Sequence, residues 1–456
     1  MNKIRILQCG ALALSLLSGA VMAAVSADEA AKLGTSLTPM GAQKEGNADG
    51  SIPAWTGGID KSAGSEDARG FLSDPFAGEK PLFTITAQNV DQYRDKLTDG
   101  QVALFKRYPD TYRIPVYKTH RTFSQPAEIY QAVKTSALNV QPINDGNGLA
   151  NFDKSRYYAF PLPKNGVEVL WNHITRYRGG NLARTVVQVT PQTNGSYTPI
   201  RFEETVAFPQ NMGDVDLAKV SNILLYFKQS VTAPARLAGN VLLVHETLDQ
   251  VKEPRKAWIY NAGQRRVRQA PQVSYDGPGT AADGLRTSDN LDMFNGAPDR
   301  YEWKLLGKRE IYIPYNNYRL ASPQLKYADI LKPGHINQDL TRYELHRVWV
   351  VEASLKSGER NIYAKRRFYL DEDSWQIAES ELYDGRGQLW RVGEAQLYQQ
   401  YDKQIPVYAL EALYDLIAGR YIAIGLGNEE KAPVQYGIEL SSSDFSTAAL
   451  RNDGVR

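Results

Sequence analysis

One cysteine is present among the 456 residues of the sequence, and this residue, Cys9, precedes the main apolar run of the N-terminus. The chain beyond residue 27 therefore lacks a thiol for a disulfide, a thiolate metal site or a cysteine nucleophile. A lipid-anchored cysteine follows the apolar run at the cleavage point, so Cys9 is also a poor lipidation site. No later segment approaches the roughly 20 apolar residues needed to cross a bilayer, which argues against a membrane-spanning helix in the mature chain.

An excess of positive charge is also lacking once the N-terminus is set aside. Residues 1–27 contain Lys3 and Arg5 but no acidic residue, so their removal changes 53 basic side chains to 51, against 51 acidic ones. The net charge then falls from +2 to zero. This balance argues against nucleic acid as a partner.

The common signatures of catalysis are missing as well. The sequence contains no GxSxG nucleophile elbow, no P-loop and no GxGxxG turn after a strand, and its histidines are scattered without HExxH spacing. For His173 a general base is one interpretation; we predict instead a capping or salt-bridging residue opposite the apolar side of its helix. Glu344 and His346 would share one face of a strand, but a zinc site needs three or four ligands. We therefore predict a protein that is not an enzyme and needs no cofactor or metal.

The N-terminus has the features of a secretory signal peptide. Two basic residues precede an apolar run over Ala11–Val21, and small residues suited to signal peptidase follow. Cleavage after Ala23 or after Ala27 fits this pattern, and we take residues 1–27 as the signal peptide. Because the mature chain has no cysteine, the sequence predicts a soluble protein exported to a bacterial periplasm.

The mature chain divides into three parts that we expect to form one continuous domain. Residues 28–81 are rich in Gly, Pro, Ser and Asp and are predicted to form an extended strap, which Trp55 would anchor by packing on a sheet. Residues 82–181 form a helical N-terminal portion. Its predicted helices are Val90–Leu97, a helix capped by Thr98 and Gln101 that ends at Pro109, a helix after Pro126, and a helix that begins at Asn165 and Gly166.

Residues 182–456 change to a pattern of strands. We predict strands over Arg184–Thr190, Tyr197–Phe208, Ile223–Val231, Val241–Leu248, a hairpin around Trp258, Tyr301–Ile313, Arg342–Leu355 and three strands within Glu359–Val392. Near the end of the chain, the helical spacing of Leu410, Leu413, Tyr414 and Ile417 predicts a helix over Tyr408–Ala418, followed by a tail. Helices that precede strands in this way are typical of an α+β fold, with helices packed against one side of a large antiparallel sheet.

The strands carry two groups of candidate binding residues. The first group is aromatic and would line a concave face for an apolar ligand, with ordinary core packing as the alternative: Trp258, Trp349, Phe368, Trp375 and Trp390. The second group is the densest basic cluster, which suits the head group of an anionic amphiphile, with a solvated and salt-bridged strand as the alternative: Arg265, Arg266 and Arg268.

Several long segments resemble an exported bacterial family known as domain of unknown function 1329. The resemblance covers nearly the whole mature chain and is carried by LTDGQVALFKRYPD, VYKTHRT, PLPKNGVEVLWNHITRYRGG, AWIYNAGQRRVRQAP, GAPDRYEWKLLGKREIYIPYN, RYELHRVWVVEASL and ERNIYAKRRFYLDEDSW. It implies a sheet similar to the curved half-barrel of the Lol lipoprotein carriers (a LolA/LolB-like half-barrel), which shelter acyl chains. It also implies an association with transporters of the resistance–nodulation–division (RND) type, whereas the biochemical activity of the family is not established.

We therefore expect a periplasmic, non-enzymatic carrier for a lipid or other hydrophobic compound, with an RND-type transporter or an outer-membrane component as its partner. Shelter has a physical purpose, because an acyl chain of about 16 carbons exposes apolar surface that costs on the order of 12 kcal/mol in water. The alternatives are a structural or assembly factor of the cell envelope that binds a protein, and an enzyme with an unrecognised site. An apolar cavity of roughly 300 Å³ or more would favour the carrier, and a filled core would favour the structural factor.

Overall fold

The computed structural model describes residues 25–270, 273 and 275–455. The predicted signal peptide, residues 1–27, therefore lies almost entirely outside the described residues. Helix α1 (Ala27–Ala30) is capped by Ser26, whose side chain accepts a hydrogen bond from the Glu29 N–H, and Val25 packs against the core. Cleavage after Ala23 would keep this cap, whereas cleavage after Ala27 would remove it.

The strap, residues 28–81, has little regular structure but is tied to the rest of the fold. Arg121, which is buried, donates a hydrogen bond from Nη2 to the carbonyl O of Gln43 at 2.8 Å and pairs with Asp373 at 2.7 Å. Trp375 Nε1 donates to the carbonyl O of Met40 at 3.0 Å. Trp55 is an anchor, although its Nε1 donates to the carbonyl O of Phe123 at 3.0 Å, outside the sheet. The contacts explain how a segment with few apolar residues becomes ordered.

We expect Arg121→Gln to release the strap, because the shorter, uncharged side chain cannot hold both Asp373 and the strap carbonyls. Limited trypsin digestion should then cleave faster at half-buried Lys44, about tenfold or more, which corresponds to a local stability loss of roughly 1.4 kcal/mol. Exposed Lys61 lies in the same strap and serves as the internal control, since its cleavage should be fast in both proteins. Unchanged cleavage at Lys44 would show that other contacts are enough to hold the strap in place.

The helical N-terminal portion contains the predicted helices. They are a 3₁₀ helix over Val90–Lys96, α2 (Asp99–Arg107), α3 (Ala127–Asn139) and α4 (Gly166–Ile174), with short strands β1 (Phe83–Ile85), β2 (Ile114–Val116), β3 (Gln141–Ile143) and β4 (Gly148–Ala150). The predicted cap of α2 is confirmed, because the Thr98 side chain accepts from the Gln101 N–H at 3.0 Å and the Gln101 side chain accepts from the Thr98 N–H at 3.1 Å. Asn165 caps α4 with its side chain, which accepts from the Glu168 N–H at 3.0 Å.

The remainder of the chain is mostly strand. The strands are β5 (Leu182–Val189), β6 (Ile200–Ala207), β7 (Ile223–Ala233), β8 (Val241–Thr247), β9 (Lys256–Asn261), β10 (Arg266–Gln269), β11 (Tyr301–Pro314), β12 (Tyr343–Leu355), β13 (Lys365–Asp371), β14 (Ile377–Tyr383), β15 (Leu389–Gln400), β16 (Ile405–Asp415), β17 (Arg420–Leu426) and β18 (Gln435–Tyr436). The helices are α5 (Tyr318–Ala321), α6 (Tyr327–Ile330) and α7 (Thr447–Val455).

Sixteen of the strands form one sheet in the order β1-β2-β12-β13-β14-β15-β16-β17-β5-β6-β7-β8-β9-β10, with β11 beside β12 and β18 beside β5. The pairs are antiparallel apart from a parallel contact between β2 and β12. The two end strands, β1 and β10, do not pair with each other among the described residues, so the sheet stays open as a half-barrel. The predicted α+β class with a large, curved antiparallel sheet is confirmed.

Helices cover both faces of this sheet rather than one. At β8 and β9 the side chains of Leu243 and Tyr260 pack on Leu450 of α7, and the opposite face of β8 looks toward α4. Because side chains alternate along a strand, each covered face takes every second residue. We name the face that carries Leu243 the convex face and the face toward α4 the concave face.

The predicted helix over Tyr408–Ala418 is wrong, because this segment is most of β16. Leu410, Ala412 and Tyr414 pack into one apolar cluster, and Leu413 packs into another. A strand that is buried on both faces has a nearly continuous apolar run, which also satisfies helical spacing. Pairing with β15 and β17 decides the conformation.

Candidate functional site: a cavity between helix α4 and the sheet

A cavity of about 220 Å³ lies between α4 and the concave face of the sheet and is partly open to solvent. Strands β7 and β8 form its floor with alternate residues, since residues i, i+2 and i+4 share one face. These residues are Leu225, Phe227 and Gln229 of β7 and Leu242, Val244 and Glu246 of β8. Phe227 pairs directly with Val244, so the apolar part of the floor is continuous.

The opposite wall is built from three elements. Helix α4 contributes Trp171 and Ile174, and β16 contributes Tyr408. The third element is the segment 279–296, which we name the wall loop; its Leu291 and Phe294 face the cavity. The wall loop connects β10 to β11 and has no strand of its own.

Buried charges hold the wall loop in place. Asp292 pairs with Arg178 at 2.8 Å and also with Arg176. Burial alone would raise the pKa of Asp292, but these two guanidinium groups hold it well below its usual range. Asp289 pairs with the fully buried Arg366 at 2.6 Å. The loop is therefore fixed both to the end of α4 and to β13.

His173 packs behind this wall, and its environment differs from the one predicted from the sequence. It is fully buried, its Nδ1 accepts from the Ile377 N–H at 3.2 Å, and its Nε2 lies 2.8 Å from the carbonyl O of Asp292. Burial, reinforced by Arg176, lowers the pKa of His173 to about 3, so the ring is neutral. The prediction of a capping or salt-bridging role was wrong because α4 is covered on both sides.

Glu411 of β16 adds an ionisable group to the cavity wall. One of its carboxylate oxygens accepts from the Met293 N–H at 2.7 Å. Burial, together with the charge of Asp292, raises the pKa of Glu411 to about 7. The carboxyl group is therefore partly protonated at neutral pH.

The cavity wall is unusually rich in arginine. Five guanidinium groups line it: Arg176, Arg178, Arg184, Arg255 and Arg286. Arg184 pairs with Glu204 at 2.6 Å and Arg255 with Glu246 at 2.6 Å. Arg286 has no carboxylate partner within 4.0 Å among the residues that the structure describes. The cavity thus combines an apolar floor with a positively charged side.

The five aromatic residues that the sequence proposes as lining do not line the cavity. Phe368 and Trp375 are fully buried in the core, and Trp349 stacks on Trp375 with ring centroids 5.9 Å apart. Trp390 is half-buried beside Tyr363. Trp258 pairs with Leu243, so it lies on the convex face. Their positions therefore do not support the predicted role in ligand binding, which stays a prediction.

The basic cluster lies closer to the cavity than the aromatic residues. Ile259 pairs with the lining residue Leu242, and Arg268 pairs with Ile259, so Arg268 and Arg266 share the concave face. Both are exposed on the edge strand β10, which is two strands, or roughly 10 Å, from β8. Arg265 lies in the preceding turn with φ of +53°. These arginines can attract an anion to the edge but do not contact the cavity.

Sequence reasoning missed most of the lining residues. The missed residues include Leu225, Phe227, Leu242 and Val244, whose strands were predicted without a function. Arg176 and Arg178 lie in PLPKNGVEVLWNHITRYRGG, one of the segments that resemble the family, and a pair of arginines next to an apolar helix was the available signal. Arg286 gave no signal, because its segment has no periodic pattern.

A second group of ionisable residues lies apart from the cavity. His346, Asp371 and Asp373 place one potential ligand atom each within 4.8 Å of one another, so Glu344 and His346 are joined by groups that the sequence did not indicate. Arg121 already pairs with Asp373, and Glu344 contacts His346 at 3.1 Å. Asp371 accepts hydrogen bonds from the backbone N–H and the hydroxyl of Ser374, so each of these carboxylates has a partner in the protein, and we assign no metal to the group.

No helix in the described part of the chain has both the length and the apolar character required to span a bilayer.

Comparison with known proteins identifies the family. Residues 84–451 match the family described as "Protein of unknown function (DUF1329)". The uncharacterized protein PA3922 of Pseudomonas aeruginosa is 67% identical over 451 residues, which cover 99% of each chain. A putative outer membrane lipoprotein-sorting protein domain from Vibrio parahaemolyticus is 14% identical over 63% of this chain and 98% of its own, with a TM-score of 0.43. A DUF1329 family protein from Desulfovibrio piger is 14% identical over 60% and 92%, with a TM-score of 0.42. The chain therefore belongs to the DUF1329 family of proteins of unknown function, in agreement with the resemblance seen in its sequence.

Proposed function

We propose that the protein is an exported, periplasmic carrier that binds a lipid or another hydrophobic molecule and catalyses no reaction. The observation that supports this function is the cavity, which has a continuous apolar floor and a partly open side. A core that served stability alone would be close-packed, because protein interiors leave few voids larger than a water molecule. The N-terminal signal pattern supports the compartment.

The volume of the cavity bears on the kind of ligand. About 220 Å³ is below the roughly 300 Å³ that would by itself favour a carrier, so the support for this function comes from the apolar floor and the open side and not from the volume. It exceeds the roughly 150 Å³ of an apolar cavity that admits benzene. The cavity therefore suits one acyl chain, or part of one, better than a multi-chain lipid anchor. Each CH₂ that it shelters contributes about 0.8 kcal/mol.

The partner that we propose is an RND-type transporter or another outer-membrane component. This part rests on the family resemblance and not on a surface of the molecule. A structural or assembly factor that binds a protein is the second candidate, because the sheet ends in an exposed edge strand, β10, that offers unpaired backbone groups.

The test fills the cavity without changing charge. Leu242→Trp places a larger side chain on the floor, where Leu242 is half-buried, and should reduce binding of the neutral fluorescent hydrophobe N-phenyl-1-naphthylamine at least tenfold. Leu306→Trp is the matched control, since Leu306 is 43% exposed on β11 and does not line the cavity. Titration by fluorescence gives both affinities.

The outcomes separate the two candidate functions. Weaker binding by Leu242→Trp alone supports the carrier, as does an organic extract of the detergent-free protein that contains a stoichiometric hydrophobe. If the unsubstituted protein binds no hydrophobe and carries none, the carrier proposal fails and the protein-binding role takes its place. Equal loss in both variants would place the probe outside the cavity.

A further inference from the structure

We propose that the cavity selects an amphiphile with one apolar chain and an anionic head group, and that Arg286 binds this head group inside the cavity. This inference rests on the proposed carrier function and adds the chemical class of the ligand. The proposed head-group site is therefore Arg286 of the wall loop and not the exposed arginines of β10.

Arg286 is a buried cation without an ion-pair partner. Its side chain lines the cavity and the residue is 5% exposed. Nη1 donates to the carbonyl O of Thr287 at 3.2 Å, while the buried Nε–H has no acceptor among the described residues. Burial lowers the pKa of Arg286, which reflects the cost of keeping this charge away from water. The charges of Glu411, Glu204 and Asp289 offset part of this cost, but none of them pairs with Arg286 directly, so an anion bound beside the guanidinium would stabilise it further.

The backbone is shaped to place this guanidinium. A Cβ atom at Gly279 would lie 2.7 Å from Cζ of Arg286 and 3.0 Å from each Nη atom. A side chain at position 279 would therefore push the guanidinium out of its present place. The Gly279 N–H also donates to the carbonyl O of Arg286 at 3.0 Å, which closes the wall loop around the group.

Two other arginines of the wall also have donors without acceptors. The Nε–H groups of Arg176 and Arg255, both of which line the cavity, are buried and have no acceptor among the described residues. Their Nη2 atoms pair with Asp292 and Glu246, and their Nη1 atoms donate to the carbonyl O atoms of His173 and Val273. These Nε–H groups are closed to solvent, so they do not contact a ligand themselves, but they add to the positive charge that the wall keeps away from water and that an anion in the cavity offsets.

The charges of the cavity wall also favour an anionic ligand. Five guanidinium groups and three carboxylates, Glu246, Asp292 and Glu411, line the cavity, and Glu204 pairs with Arg184 from outside the lining, so the difference is one positive charge. Because the pKa of Glu411 is raised to about 7, the excess approaches two when Glu411 is protonated. The excess lies beside the apolar floor formed by Leu225 and Phe227, which gives an amphiphile a place for each of its ends.

The experiment measures three probes with the same chain: dodecanoate, dodecyl phosphate and neutral dodecanol, each displacing N-phenyl-1-naphthylamine. The full mature protein and Arg286→Gln are compared. We expect the substitution to weaken both anionic probes about 10- to 100-fold and to leave dodecanol within twofold, because a hydrogen bond to a charged group is lost. The ratio of the two anions distinguishes a carboxylate ligand from a phosphate ligand.

Three further variants make the test selective. Gly279→Ala keeps every charge but displaces the guanidinium, and it should also weaken the anions; thermal melting establishes that each variant folds. Arg266→Gln with Arg268→Gln tests the competing site on β10. Arg386→Gln, in an exposed turn outside the cavity, is the matched control for charge.

The results divide clearly. Selective loss of anionic probes in Arg286→Gln and Gly279→Ala supports the inference. Equal loss for dodecanol, or selective loss only in the β10 double variant, overturns it while the carrier function stands. If N-phenyl-1-naphthylamine and all three probes fail to bind the unsubstituted protein, the carrier function itself fails.

Discussion

Replacing Arg366 with Met should destabilise the protein by about 3–5 kcal/mol and loosen the wall loop. Arg366 is fully buried, pairs with Asp289 at 2.6 Å and donates from Nε to the Tyr301 hydroxyl at 3.1 Å. Its guanidinium also lies 5.4 Å from the ring centroid of Phe294, a lining residue. Loss of one partner leaves the Asp289 charge buried and uncompensated, which costs far more than a surface ion pair.

The free energy of unfolding, measured by urea denaturation, checks this expectation. Arg360→Met on the exposed surface nearby should change stability by less than about 0.5 kcal/mol. The double variant Arg366→Met with Asp289→Asn should recover part of the loss, since the isolated carboxylate is gone. Hydrogen exchange of the wall loop should rise in the single variant. A loss below about 1 kcal/mol would mean that water reaches Asp289 and that the wall is not sealed.

The second large effect concerns a buried carboxyl group in β15. Glu394 is fully buried, and one of its oxygens accepts hydrogen bonds from the Tyr112 and Tyr343 hydroxyls, each at 2.9 Å. Burial raises the pKa of Glu394 to about 7, despite the tyrosine hydroxyl groups that lower it. Burial and the charge of Glu394 also raise the pKa of the neighbouring Glu379.

These pKa values predict that stability falls with rising pH. The folded protein keeps a proton on Glu394 up to about pH 7, whereas the unfolded chain releases it near 4.5. The stabilisation is therefore complete below about pH 4.5 and is lost as the pH rises to about 7. Glu379 and Glu411 of the cavity wall have raised pKa values too and change stability in the same direction.

Glu394→Gln should stabilise the protein at pH 8 by on the order of 2–3 kcal/mol and should have little effect at pH 5. The amide keeps an oxygen for the two tyrosines and cannot ionise. Thermal melting at pH 5, 6, 7 and 8 gives the comparison, and Glu439→Gln, at an exposed position, is the matched control. A variant that is less stable than the parent at every pH would show that the charged form is the one that the fold requires.

Features decided by neighbouring residues were predictable from the sequence. Thr98 with Gln101, and Asn165, mark helix starts because the caps use residues three apart. Most strand limits agree with the predictions to within a few residues, since alternation is a local pattern. The prediction of a helix over Tyr408–Ala418 was wrong because a strand that is buried on both faces shows no alternation of apolar and polar residues. Only pairing with β15 and β17 determines its conformation.

The site was much less predictable, because it joins distant parts of the chain. Whether Trp258 faces the concave or the convex side depends on its pairing with Leu243, and a shift by one residue would reverse it. Trp171 and Phe227 line the same cavity although they lie more than 50 positions apart in the chain. Arg286 has no ion-pair partner among the described residues because of where every carboxylate around it lies, and no local pattern in the sequence encodes those positions.

The attachment of the wall loop has a consequence for the speed of ligand exchange. Loops that make few contacts with the rest of the fold move on timescales of nanoseconds to microseconds. The wall loop cannot swing outward without separating Asp292 from two guanidinium groups and Asp289 from a third. A molecule in the cavity would therefore enter and leave through the open side and not past the wall loop. The width of that opening, and not the motion of the loop, would set how long the molecule stays bound.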